Sequence, residues 1–179
     1  MTQIGEPVTR EEDLRLLRGK GRYLDDVSTL NLVHATVLRS PVAHAEFASL
    51  NVDAAREAPG VLAILTGDDL AIRGLGNIGV LAPCKKSDGS DGFVRVRPLL
   101  ARGRVRYVGE AMAFVVAETL NQAKDAAELI EAEFKNLPVL ANLDAALTDD
   151  APALWNENPD NEAFTFKRGD PDATEAAFA

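Results

Sequence analysis

Cysteine, histidine and tryptophan are scarce in this chain of 179 residues, which contains one, two and one of them respectively. The single cysteine, Cys84, excludes an internal disulfide and any metal or iron–sulfur site that needs several cysteines from this chain. The histidines, His34 and His44, share no metal-ligand spacing with each other or with Cys84. The sequence therefore predicts no metal site of its own.

Long apolar runs are also absent. The longest purely apolar run spans residues 111–117, whereas a membrane-spanning helix needs about 20 such residues. The first residues, MTQIGEPVTREEDL, contain no apolar segment of the kind that a secretory signal requires. The sequence therefore predicts a cytoplasmic protein without a membrane span.

Positive charge is in short supply. The formal net charge is −9, and residues 101–179 carry seven Lys or Arg against fifteen Asp or Glu, a net of −8. Such an acidic domain repels phosphate backbones, so the sequence predicts no nucleic-acid partner. The remaining composition, with 46% hydrophobic and 26% charged residues, is ordinary for a globular protein.

Short apolar runs of two kinds predict strands. Residues 32–38 are rich in β-branched residues and apolar on both faces, which predicts a buried central strand that ends before Pro41. After residue 129, Ile130, Ala132 and Phe134 alternate with charged residues, which predicts a strand with one wet face. Further strands are predicted at residues 46–52, 61–66, 105–108 and 111–117.

Helix-start signals separate these strands. Capping boxes, in which a threonine hydroxyl and a side chain three residues later satisfy free N–H groups, occur at residues 9–12 and 119–122. The first predicts a short helix that ends at Gly19. The second predicts a helix that ends near Glu128, although the residues also permit a longer one. With shorter helical segments at residues 54–58, 66–69 and 144–147, the pattern predicts an α+β fold.

Domain boundaries are predicted near residues 31 and 148. Residues 1–31 are predicted to be an N-terminal extension that packs on the domain or its partner, and residues 32–148 the main domain. Residues 149–179, with three prolines and many acids, are predicted to be an extended acidic tail. Residues 71–100 show no sustained period and contain seven glycines or prolines. A loop of this length inside a compact domain is usually functional or mobile.

The segment GLGNIG, residues 74–79, matches the glycine pattern of dinucleotide-binding sites. That pattern works where the glycines lie directly between a strand and a helix, whose N-terminus meets the pyrophosphate. Here the predicted strand ends at Thr66, and the residues after Gly79 lead to Pro83 without a helix cap. The sequence therefore predicts a flexible loop that binds neither NAD nor NADP.

Other reactive side chains form no catalytic pattern. Ser40 and His44 lie four residues apart, but Pro41 between them argues against the helix that would bring them together. Cys84 is interpreted as a loop thiol without an assigned role. The sequence thus predicts no catalytic, cofactor-binding or metal-binding residue. The acid pairs that lack the oxygen spacing of a calcium loop are Asp25 with Asp26, Asp68 with Asp69, and Asp149 with Asp150.

The most distinctive motif is RSPVAHA at residues 39–45, preceded by LVH at 32–34. Other matching positions are the opening residues 5–26, DAA at 53–55, PGV at 59–61, TGDD at 66–69, VRYVGE at 105–110, VVAE at 115–118, Ala123, AAELIE at 126–131, LP at 137–138, Asn161 and GD at 169–170. In this order they resemble the large subunit of molybdenum hydroxylases, the family of carbon monoxide dehydrogenase, xanthine dehydrogenase and aldehyde oxidase. The resemblance implies an α/β-hammerhead: a mixed sheet with a strand–helix–strand unit and projecting antiparallel strands.

The resemblance also implies a function. The full large subunit of that family carries a molybdenum–pterin cofactor, and in the carbon monoxide dehydrogenase-like branch FAD and [2Fe-2S] centres belong to partner subunits. The family's cofactor loops and its glutamate base lie beyond this domain, so Glu110 is not assigned that role. The chain is predicted to be a non-catalytic structural domain that packs against the molybdenum-binding domain. The alternative is a free-standing binding or scaffold protein with the same fold and no enzyme activity.

Overall fold

The computed structural model describes residues 4–5, 7–75, 77–80, 84–95, 97–166 and 168–179. Its contacts divide the chain into two units, Met1–Leu32 and Val33–Ala179. The first unit contains helix α1, Asp13–Leu17, and a 3₁₀ helix, Leu24–Asp26. None of its described residues is buried.

Helix α1 ends as predicted but begins differently. Gly19 has a φ of 66°, and the N–H groups of Gly19 and Lys20 donate to the carbonyls of Leu16 and Arg15, both at 3.0 Å. This is the Schellman pattern that closes a helix at a glycine. The predicted capping box at residues 9–12 is wrong, because the N-cap is Glu12 and its side chain makes no capping bond.

The second unit contains eight short strands and five helices in its described residues. The strands are β1 His34–Arg39, β2 Ala45–Glu46, β3 Leu50–Asn51, β4 Val61–Thr66, β5 Arg104–Val105, β6 Ala111–Ala117, β7 Glu131–Ala132 and β8 Lys135–Asn136. The helices are α2 Asp53–Arg56, α3 Gly67–Ile72, α4 Leu120–Glu128, α5 Leu143–Ala146 and α6 Pro171–Phe178. The predicted α+β fold is confirmed. No helix among the described residues is long and apolar enough to cross a membrane.

The strands form three small sheets, in the orders β1-β6-β4, β5-β2-β8 and β3-β7. The resemblance implied a mixed sheet, and in the described part of the chain each strand pair is antiparallel. The prediction that residues 32–38 form a central strand is wrong, because β1 lies at an edge and β6 occupies the centre. Apolar residues on both faces show that a sheet has two apolar faces, and they do not say which strand is in the middle.

One predicted strand is split in the structure, and two others are shorter than predicted. Residues 46–52 were predicted as one strand, but β2 pairs with β5 and β8 whereas β3 pairs with β7. The chain bends between them at residues 47–49, and the Phe47 N–H donates to the Gly103 carbonyl at 3.0 Å. The predicted strand at residues 130–134 shortens to β7, Glu131–Ala132, and β8 begins after it. The predicted strand at residues 105–108 shortens to Arg104–Val105.

Helix α4 packs across β1 and β6, and α2 packs on β4. The core between the helices and this sheet is rich in alanine, and its buried members are Val52, Ala55, Ile64, Ala113, Val115, Ala117, Ala123, Ala126, Ala127 and Ile130. A second cluster, with Phe47, Val105 and Met112, lies around the β5-β2-β8 sheet, and Leu38 and Leu50 pack against both clusters. The two cores are therefore continuous.

Residues 149–179 were predicted to be extended throughout, but the structure contains a helix in this segment. Residues 171–178 form α6, whose N-cap Asp170 accepts the Ala173 N–H at 3.0 Å, with Pro171 in the first turn. An Asp followed by Pro is a helix-start signal, so the sequence contained a local signal for this helix. Earlier in the segment, the Phe93 N–H donates to the Ala163 carbonyl at 2.7 Å, which ties it to the 71–100 loop.

Candidate functional site

The RSPVAHA segment forms a buried turn after β1. Ser40 is buried, with 2% of the residue's surface exposed. Its hydroxyl donates to the Val42 carbonyl at 2.7 Å and accepts the Val42 N–H at 3.2 Å. The Ser40 N–H donates to the Glu110 carbonyl, and the Gly109 N–H donates to the Ser40 carbonyl, both at 2.8 Å. The hydroxyl thus shapes the turn, and the backbone joins it to the start of β6.

Arg39 and Gly109 complete this junction. The Arg39 Nη1 donates to the Gly109 carbonyl at 2.9 Å. Gly109 has a φ of 90°, a conformation that costs glycine little and strains other residues. The register between β1 and β6 also shifts between Leu38 and Arg39. The RSP and VGE motifs therefore lie side by side, because RSP begins at the last residue of β1 and VGE precedes β6, and these ends of the two paired strands meet at one end of the sheet.

His44 is buried in the same turn, with 6% of its surface exposed. Its Nδ1 lies 2.7 Å from the Pro138 carbonyl. Because a carbonyl only accepts, Nδ1 carries the proton. The Nε2 atom is buried and has no hydrogen-bond partner among the described residues. Ser40 and His44 bind different backbone groups, so the geometry does not make them a nucleophile–base pair.

Glu110 and Arg106 are two further charged groups of this region, besides Arg39. Glu110 is 7% exposed, and its Oε2 accepts the Arg106 N–H at 2.6 Å. Burial raises the pKa of Glu110, while the bond from Arg106 and the charge of its guanidinium act in the opposite direction. Burial also lowers the pKa of Arg106 below its ordinary value, against the nearby charge of Glu110.

The guanidinium of Arg106 lies over the ring of Trp155, 3.4 Å from its centroid, and Arg95 lies 5.0 Å from the same ring. Arg106 Nε also donates to the Leu154 carbonyl at 3.3 Å. Trp155 lines a groove of about 450 Å³ between α5 and residues 154–163. Its other walls are Phe93, Leu140, Ala141, Asn142, Leu143, Ala146, Leu154, Asn158, Asn161 and Ala163.

Trp155→Ala is expected to lower the free energy of unfolding by about 2 kcal/mol or more, because it removes a cation–π contact with a partly buried arginine as well as apolar area. Urea unfolding measures the loss. Phe166→Ala is the matched control, since Phe166 is 71% exposed, and its unfolding midpoint is expected to stay close to the wild-type value. Equal losses for the two variants would contradict the role given to the Arg106–Trp155 contact.

Glu110→Gln tests the buried carboxyl through pH. A carboxyl whose pKa is raised on folding binds more protons in the folded chain, so the free energy of unfolding falls as pH rises through the interval above its ordinary value of 4.5. Glutamine stays neutral, and its oxygen can still accept the Arg106 N–H. The wild type should therefore lose stability relative to Glu110→Gln as pH rises above the ordinary carboxyl pKa of 4.5.

Urea unfolding at several pH values measures that difference. Glu118→Gln, at an exposed position, is the control for the loss of one negative charge. The prediction is wrong if the wild type gains stability relative to Glu110→Gln as pH rises, because that sign belongs to a carboxyl whose pKa is lowered on folding.

The other residues singled out in the sequence lie apart from this cluster or serve local structure. Helix α3 lies between β4 and Gly74, so the helix precedes the glycines of residues 74–79; Gly76 is outside the described residues. Asp69 accepts the Thr66 N–H at 2.8 Å in the capping box of α3. Asp68 pairs with Arg102 at 2.8 Å, and Cys84 is exposed.

The described ranges contain no group of three or more His, Cys, Asp or Glu side chains that could hold a metal ion. Sequence reasoning did not find the contact between Arg106 and Trp155. The two residues are 49 positions apart, and no local period links them. The single tryptophan was the available signal, because a tryptophan in a polar segment usually packs against something.

Residues 18–138 match the family model described as "Aldehyde oxidase and xanthine dehydrogenase, a/b hammerhead domain". The chain is 35% identical over 173 residues to the nicotine 6-hydroxylase large subunit of Paenarthrobacter nicotinovorans, covering 97% of this chain and 20% of that one. It is 37% identical over 150 residues to the xanthine dehydrogenase molybdenum-binding subunit of Escherichia coli O157:H7, covering 82% and 19%.

The fold resembles that of reconstituted CO dehydrogenase from Oligotropha carboxidovorans, with a TM-score of 0.81 and 33% identity over 97% of this chain and 22% of that one. The chain thus spans about a fifth of the length of these two curated relatives. The matched region 18–138 includes the RSPVAHA turn, Arg106 and Glu110, whereas Trp155 lies after it.

Proposed function

Because the chain belongs to the aldehyde oxidase and xanthine dehydrogenase a/b hammerhead family, we propose that it is the non-catalytic structural domain of a molybdenum-dependent hydroxylase large subunit. The full enzyme would oxidise carbon monoxide, a purine, an aldehyde or an aromatic heterocycle with oxygen derived from water. The domain would pack against the molybdenum-binding domain of the same subunit, and the assembly would include flavin and iron–sulfur subunits.

The observation that carries this proposal is how the most distinctive motif uses its polar groups. The Ser40 hydroxyl, the Arg39 guanidinium and the Glu110 carboxylate all bind backbone groups of this domain. A residue that attacks a substrate or transfers a proton needs a reactive atom facing the reacting group. The polar atoms of these residues are used in hydrogen bonds that hold the ends of β1 and β6 together, which is a structural role.

The residues of this chain do not fit a molybdenum–pterin cofactor. A phosphate cradle is formed by backbone N–H groups at the start of a helix. Here α3 ends before the glycines of residues 74–79, and a Cβ added at Gly74 or Gly79 would meet nothing within 4 Å, so neither glycine is enclosed by a tight backbone cradle. We therefore propose that the cofactor is held by the part of the large subunit outside this chain.

The rival proposal is a free-standing binding or scaffold protein with this fold. Sequencing the coding region past Ala179 distinguishes the two. An open reading frame that continues into cofactor-binding segments supports the enzyme subunit, and a native stop codon supports the free-standing protein. Residence in the cytoplasm and the absence of nucleic-acid binding stay predictions, which cell fractionation and a filter-binding assay would check.

Metal analysis and dye-reduction assays test the proposed role directly. The purified chain of 179 residues is expected to fold, to hold no molybdenum and to reduce no dye with carbon monoxide, purines or aldehydes, because the metal and the base lie elsewhere. The product of the longer reading frame, prepared in parallel, is the positive control. Stoichiometric molybdenum or turnover in the short chain would overturn the proposal.

A further inference from the structure

The β1-β6-β4 sheet has one face covered by α2 and α4, and its other face is buried at one end, where Met112 belongs to the second core cluster. In an antiparallel pair, directly opposite residues lie on the same face of the sheet. Val115 is opposite Thr36 and Ile64, and Val115 and Ile64 belong to the core formed with α2 and α4. This is the helix-covered face.

The opposite face is defined by the residues that alternate with those. Phe114 is opposite Val37 and Leu65, and Val116 is opposite Ala35 and Ala63. All six side chains are apolar. Phe114 is 36% exposed, Ala35 and Ala63 are exposed, and Val37, Leu65 and Val116 are half-buried. We call these six residues the outer sheet face.

An outer sheet face of this kind is unusual for a sheet with one wet side. Antiparallel sheets that face water alternate apolar and polar residues, as residues 130–134 do here. The six residues of the outer sheet face are uncharged, and its centre is a phenylalanine. Arg39, which follows Val37 in the same alternation at the end of β1, donates to the Gly109 carbonyl. Such a pattern is typical of strands covered on both sides.

We propose that the outer sheet face is the surface on which the remainder of the large subunit packs; this rests on the proposed function. Relatives carry this domain in chains about five times as long, so four-fifths of such a subunit lies outside the chain described here. Because the outer sheet face is apolar and uncharged, the surface that packs on it is expected to be apolar and uncharged as well. The occupant is therefore an apolar surface of the molybdenum-binding part.

The size of the face selects a partner within the same polypeptide. With strands about 4.8 Å apart and a rise of about 3.3 Å per residue, three strands over three or four residues cover roughly 200 Å². A stable complex of separate proteins buries about 800 Å² on each partner. Two segments of one chain meet at a high effective concentration and need less buried area. A second copy of this chain, or a separate subunit, is held poorly by such a face alone.

Hydroxyl-radical footprinting of the 179-residue chain and of the longer reading-frame product tests this inference. Phe47, which is 7% exposed, is the buried reference, and Phe166, which is 71% exposed, is the exposed reference. In the short chain, Phe114 should be labelled between the two. In the longer chain, labelling of Phe114 should fall to the level of Phe47, while Phe166 serves to normalise the dose.

Ala35→Glu in the longer chain should restore the labelling of Phe114, because a charge on the outer sheet face opposes apolar packing. Ala48→Glu is the control, as it changes an exposed alanine away from that face. Melting of both variants in the short chain checks folding. Equal Phe114 labelling in the short and long chains would overturn the inference. It would also be overturned if Phe114 labelling in the short chain fell as the protein concentration rose, because that result indicates that a second copy covers the face. A stop codon after Ala179 would instead refute the proposed function.

Discussion

The Ala126→Pro variant is expected to lose about 3 kcal/mol or more of its free energy of unfolding. Ala126 lies in the second turn of α4, with none of its surface exposed. Proline there removes a helical hydrogen bond, and its ring collides with the preceding turn. Because α4 packs across β1 and β6, a kink also separates the helix from the central sheet. A loss of this size is a large part of the stability of a typical domain.

Urea unfolding followed by circular dichroism measures this loss. Ala153→Pro is the control, because residue 153 lies outside the helices and strands of the structure, and its unfolding midpoint should change far less. Equal midpoints for the two variants would mean that residues 120–128 do not form the helix on which the core depends.

Gly67→Ala is expected to cost about 3 kcal/mol, the upper part of the usual range for overpacking. A Cβ at this position would lie 2.6 Å from the Ala101 carbonyl oxygen and 2.9 Å from that of Leu100. Both residues are buried, and the Ala101 N–H is bonded to the Ala111 carbonyl at 2.7 Å. The backbone that would have to move is therefore anchored to the central strand.

Gly79→Ala is the matched control for this substitution. An added Cβ there meets no atom within 4 Å, and Gly79 has no positive φ, so a change within about 0.5 kcal/mol is expected. Thermal or urea unfolding of both variants gives the comparison. A Gly67→Ala variant as stable as Gly79→Ala would show that α3 does not approach residues 100–101 this closely.

Elements with strong local signals could be predicted from the sequence. The strand at residues 61–66 and the strand at 111–117 are confirmed with their bounds. Of the two predicted capping threonines, Thr119 is confirmed, since it accepts the Gln122 N–H at 3.3 Å, whereas Thr9 does not cap α1. The helix after Thr119 ends at Glu128, as the change of period predicted. These features depend on residues a few positions apart.

Features that depend on distant residues could not be predicted in this way. Nothing in residues 32–38 says that β1 lies at the edge, because the sheet order depends on where β4 and β6 pair. The Arg106–Trp155 contact and the close approach at Gly67 each join segments more than 30 positions apart. From the sequence alone, Gly67 at the start of α3 cannot be distinguished from an ordinary turn glycine, because the backbone that approaches it comes from residues 100–101.

The alanine-rich core between α4 and the central sheet affects how stability depends on temperature. Six of the ten buried residues in that core are alanines, and each removes less apolar surface from water than a leucine or phenylalanine does. The heat-capacity change of unfolding scales with the apolar area exposed, so this core contributes a small increment. The free energy of unfolding of a domain with such a core varies gently with temperature and follows a broad, flat curve.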